Sequence, residues 1–89
     1  MMISIEISMY PLDADYEPAI RSFIRQLRTQ AGIETVTNQM STQVCGEFDV
    51  VMPAVNACIK KSMAENAKVV FVTKLLNAGL PIERLPDLE

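Results

Sequence analysis

The chain has 89 residues, 49% of them hydrophobic and 21% charged, with a formal net charge of −3. That is enough for one domain with one core, and too apolar for a disordered chain. An acidic balance works against the phosphate backbone of nucleic acid, and no apolar run nears the ~20 residues of a bilayer-spanning helix. The absence of histidine removes most zinc sites and every His-assisted nucleophile.

The first element is "ISIEISMYP", residues 3–11. Ile3, Ile5, Ile7 and Met9 alternate with Ser4, Glu6, Ser8 and Tyr10, the period-2 pattern of a strand with one apolar and one polar face. Glu6 interrupts the only candidate for a secretory leader, so a cytoplasmic protein is expected. "PLDADYEP" then reads as a turn, with Asp15 as helix cap and Glu17 and Pro18 in the first turn. Tyr16, Ile20, Phe23, Ile24, Leu27 and Ala31 carry the helical period to about Ala31, and Gly32 is the expected stop. Arg21, Arg25 and Arg28 lie off that stripe, as a solvated row or one offered to an anion.

"IETVTN" (33–38) and "STQVCGEF" (41–48) read as a hairpin joined around Gln39 and Met40. A second helix is predicted from about Asp49 to Glu65, with Val51, Val55, Cys58, Ile59 and Ser62 inward and Pro53 tolerated near its start. "KVVFVTKLLN" (68–77) is the fourth strand, and the tail over 80–89, with its two prolines, is expected to be irregular. The domain proper is thus 1–79. Cys45 and Cys58 form no C-x-x-C and read as small buried apolar residues.

The order β-α-β-β-α-β predicts an α+β, ferredoxin-like fold. Right-handed crossovers put both helices on one face of a four-stranded antiparallel sheet of order 4-1-3-2. The first strand is then central. Its apolar side lies under the helices, and Ser4, Glu6, Ser8 and Tyr10 face outward, uncovered by the chain itself. With Val36 and Val44 phased inward, Thr35, Thr37, Ser41, Gln43 and Cys45 join the open face, as do Val70, Val72 and Lys74. Ser8, Tyr10, Ser41 and Gln43 then converge near the hairpin residues Asn38 and Met40. Hydrogen-bonding groups beside an aromatic ring and a thioether suit a flat polar heterocycle. A plain dimer interface would carry the same pattern. Glu6 opposite Lys74 also fits a cross-strand ion pair, and Glu47 and Asp49 fit helix-terminus acids.

"ISMYPLDADYEPAI", "TNQMSTQVCGEFDVVM" and "VVFVTKLLNAG" resemble segments of the YkoF-like family of thiamine- and hydroxymethylpyrimidine-binding proteins, in its short single-domain branch. The most specific piece is N-x-M-S-T-Q-x-x-G-E-F-D over 38–49, and the resemblance ends near Gly79. It implies a ferredoxin-like fold, binding of thiamine or its pyrimidine portion without catalysis, and a homodimer or homotetramer. The candidate ligand-binding residues are Glu6, Ser8, Tyr10, Asn38, Met40, Ser41 and Gln43, with no cofactor, metal, nucleic acid or membrane partner expected. A small ferredoxin-like dimeric enzyme, of isomerase or oxygenase type, is the alternative; only Glu6, Tyr10 and Lys74 offer it acid-base chemistry. RNA binding fits less well, because the third strand lacks a basic start and an aromatic ladder.

Overall fold

The computed structural model describes residues 1–89. In chain order they form β1 (Met2–Pro11), α1 (Glu17–Arg28), β2 (Glu34–Thr37), β3 (Thr42–Glu47), α2 (Phe48–Glu65) and β4 (Val69–Leu76). All strand pairs are antiparallel, in the order β2-β3-β1-β4. This is the predicted ferredoxin-like α+β arrangement, with β1 central and β2 and β4 at the edges.

The alternation in β1 fixes the core. Ile3, Ile5, Ile7 and Met9 are buried with Val44 of β3, Phe23 and Leu27 of α1, and Val51, Val55 and Cys58 of α2. Phe71 of β4 closes one flank, its ring 4.9 Å from that of Phe23 in a tilted contact. The inward stripe predicted for α2 is the one observed, with Ile59 half-buried beside it. Pro53 is further into this helix than the sequence suggested. The helix opens at Phe48, so Pro53 lies beyond the first turn, where its missing N–H would have met the Asp49 carbonyl.

Helix α1 departs from expectation at both ends. Tyr16, not Asp15, is the N-cap, and no side chain caps it. Tyrosine has no short side-chain acceptor to reach back to the first turn, and Pro18, at the second helical position, removes one of the N–H groups that a cap would bond. The Asp15 N–H instead donates to Asp13 Oδ1 at 3.0 Å, closing an Asx turn. At the other end the helix stops at Arg28, because the Thr29 and Gln30 N–H groups turn back to the carbonyls of Gln26 and Leu27. Tyr16 and Ala31, counted into the apolar stripe, are therefore exposed. Gly32 follows at φ +80°, a left-handed position that suits glycine, in the turn before β2.

One assignment to a sheet face and one expectation of exposure are corrected. Thr35 stands opposite Val44 and Thr37 opposite Thr42, while Val36 stands opposite Gln43. Directly paired residues share a face, so Thr35 and Thr37 point toward the helices and Val36 outward, the reverse of the prediction. A single valine in an edge strand is too little burial to set the phase. Ser4 and Cys45, predicted open, are both buried. What covers them is the chain after β4: Ser4 Oγ donates to the Ala78 carbonyl at 2.7 Å and accepts from the Leu80 N–H at 2.9 Å.

Candidate functional site

Register sorts the open face into rows across the strands. One row runs Val36, Gln43, Glu6, Lys74, and the row beside it contains Ser8 and Val72. Tyr10, opposite Val70, lies one row further out. Glu6 is the hub. Its Oε2 accepts from Ser41 Oγ at 3.1 Å, and its Oε1 faces Lys74 Nζ at 3.5 Å. Lys74 is 81% exposed, so water screens the ion pair and it contributes on the order of 0.2–1 kcal/mol. The pair orients the carboxylate more than it stabilises the sheet.

Two concavities divide the predicted residues. On the open face a cavity of about 340 Å³ has Glu6, Gln43 and Lys74 as its floor and Leu76, Leu80 and Ile82 as its wall. On the helix side, a smaller cleft of about 120 Å³ lies between α1 and the β2–β3 turn, lined by Ser8, Asn38, Met40 and Ser41 with Ile20 and Phe23. Tyr10 belongs to neither and is exposed. Small-molecule sites typically occupy roughly 300–1,000 Å³. Of these two, the open-face cavity is the one that reaches this range.

The hairpin residues are held by their own backbone. Asn38 Oδ1 accepts from the N–H groups of Met40 and Ser41 at 2.9 and 3.0 Å, and the Asn38 N–H donates to the Ser41 carbonyl at 3.0 Å. The Asn38 oxygen is thus committed to the turn, leaving only its amide NH₂ to offer outward. The same turn sets Ser41 beside Glu6. Met40 projects from the tip, 86% exposed.

No group of three or more Cys, Asp or Glu side chains gathers as metal ligands would. Glu47 and Asp49 sit at the start of α2, and the Met1 ammonium donates to Glu47 Oε2 at 2.8 Å. The apolar wall is what the sequence reading missed. Leu76 was within reach, since alternation from Val70, Val72 and Lys74 turns it outward; Leu80 and Ile82 belong to no periodic run.

The sequence profile of a family described as thiamine-binding protein matches residues 5–76. Among solved structures, a Streptococcus pneumoniae protein is 27% identical, covering 92% of this chain and 91% of its own, with a TM-score of 0.79. A Thermotoga maritima protein provisionally assigned to thiamine biosynthesis or salvage is 20% identical, covering 93% and 92%, with a TM-score of 0.80. A hypothetical protein from Methanocaldococcus jannascii, 20% identical over 86% of this chain and 80% of its own, has a TM-score of 0.74. No curated protein matches the chain significantly.

Proposed function

We propose, from the premise that this chain belongs to the thiamine-binding protein family, that it binds thiamine or its hydroxymethylpyrimidine portion on the open sheet face, as a cytoplasmic homo-oligomer and without catalysis. The observation that carries the reading is the 340 Å³ cavity, which sets a carboxylate, an amide and an ammonium against an apolar wall. Hydroxymethylpyrimidine has the matching groups: an exocyclic amine and the ring nitrogen beside it to pair, and next along the ring an apolar methyl group between the two nitrogens. In this reading Glu6 accepts from the amine or from a protonated ring nitrogen, and Gln43 pairs with the neighbouring position. Ser41 holds the Glu6 carboxylate. Ser8, Asn38 and Met40 line the neighbouring helix-side cleft and would meet only a ligand that extends past Ser41, and Tyr10, outside both concavities, would meet only the thiazolium of the whole vitamin. The Thermotoga maritima relative's assignment points the same way.

The enzyme alternative has less to work with. Of its three acid-base candidates, Glu6 and Lys74 are paired with each other and Tyr10 stands outside the cavity. The test is calorimetry with thiamine, hydroxymethylpyrimidine and thiamine pyrophosphate. Gln43→Ala is expected to weaken binding by roughly 0.5–1.5 kcal/mol, Ser8→Ala and Asn38→Ala to weaken it where the ligand reaches the hairpin end, and Arg25→Ala on α1 to leave it unchanged. If the three bind like the parent while Arg25→Ala loses affinity, the ligand sits on the helices instead.

A further inference from the structure

We infer that residues 78–82, beyond the span matched by the family profile, form the specificity wall of this site: Leu80 and Ile82 pack on the ring methyl of the ligand, and Ser4 is the positioning residue that holds them there. The inference rests on the open-face reading of the site. Ser4 lies on the polar side of a central strand, yet it is 6% exposed. Its hydroxyl uses both capacities on one short segment, donating to the Ala78 carbonyl and accepting from the Leu80 N–H. Gly79 between them approaches so closely that a Cβ would stand 3.2 Å from Met2 Cβ and 3.7 Å from Cys45 Sγ. The contact is a fitted one, and it continues into the cavity, where Leu80 and Ile82 face the row of Gln43, Glu6 and Lys74.

The division of labour follows. The floor reads hydrogen bonds, and the wall reads shape and hydrophobicity. Hydroxymethylpyrimidine carries a ring methyl group, and the wall gives it an apolar seat. One methyl in a hydrophobic pocket discriminates by roughly tenfold or more. The segment therefore sets preference between ring substituents rather than the ability to bind a pyrimidine at all.

The test compares hydroxymethylpyrimidine with its analogue lacking the ring methyl, by calorimetry on the full chain. The parent is expected to prefer the methylated ring by about tenfold or more. Leu80→Ala with Ile82→Ala should bring that preference below about twofold, as should Ser4→Ala and Gly79→Val, which lift the segment. A second readout follows docking directly: on a Cys58→Ala background, Cys45 should resist a thiol reagent in the parent and react faster in Ser4→Ala and Gly79→Val. Exposure of Cys45 with an unchanged methyl preference would make the segment a mere cover of the sheet and overturn the inference. So would intact preference in the Leu80→Ala, Ile82→Ala chain while Gln43→Ala still weakens binding, an outcome that leaves the site itself standing. If Gln43→Ala binds both rings like the parent, or the parent binds neither, the site reading fails and the wall falls with it.

Discussion

Thr35 shows how one side chain records a compromise. Its Oγ1 is buried without a hydrogen-bond partner, while the neighbouring inward threonines Thr37 and Thr42 satisfy each other at 3.1 Å. A buried hydroxyl left unpaired costs about 1–3 kcal/mol, so Thr35→Val, nearly the same shape, is expected to raise stability by about 1 kcal/mol in urea denaturation. Cys58 behaves in the opposite way, as a polarisable apolar group in the core. Burial pushes its thiol up, with Lys61 pulling slightly down. The folded state therefore holds the proton more tightly than the unfolded chain does. Stability from this group is complete below the ordinary thiol range and is lost as pH rises through it. Cys58→Ala is expected to flatten the alkaline limb of a stability–pH profile, and an unchanged limb would assign it to other groups.

At the scale of elements, α2 contains its own test. The helix continues through Pro53 even though that position lacks the N–H which would bond the Asp49 carbonyl. Pro53→Ala restores the bond and removes the ring's crowding, against the entropy that proline withholds from the unfolded chain. A net gain of about 1–2 kcal/mol is expected, read by thermal or urea unfolding. Element order and type were legible in the sequence because each long segment repeats a burial signal: four apolar residues in β1, four along α1 (Ile20, Phe23, Ile24 and Leu27), five along α2. The phase of β2 was not legible, since "ETVT" offers one aliphatic residue at a half-covered edge. The candidate site was legible in halves. Glu6 and Gln43 follow from the β1 phase and the strand order, but whether Ser8 and Asn38 share their cavity depends on how the hairpin turn closes. The wall was illegible because its segment is placed by hydrogen bonds between Ser4 and the backbone of Ala78 and Leu80, and no periodicity announces a contact made by backbone groups.

For the whole molecule, the exposed apolar surface is concentrated on and around β4. Val70, Val72 and Leu76 face outward on the open side, Tyr10 stands beside them, and the outer backbone edge of β4 pairs with nothing in the chain. A long apolar edge of this kind is ordinarily covered. Sedimentation at micromolar concentration is expected to give a species at least twice the 9.9 kDa of the chain; a monomer there would contradict the oligomeric reading. Ligand binding should also register globally. At a ligand concentration about 100 times the dissociation constant, stabilisation is about 2.7 kcal/mol. For a domain of this length that is a rise in melting temperature on the order of 10 °C, measurable by calorimetric scanning.

The central position of β1 has a consequence for synthesis. Its two edges are filled by residues 42–47 and then by residues 69–76. On the ribosome, at about 5–20 residues per second, the interval between them lasts on the order of seconds. During that time the strand bearing Ile3, Ile5 and Ile7 is paired on one side only. The incomplete sheet offers its open edge to any chain that supplies the same eight residues, and on a crowded polysome the neighbouring nascent chain is one. Exchange of β4 between copies is the misassembly that such an edge invites, until the chain's own residues 69–76 emerge to close it.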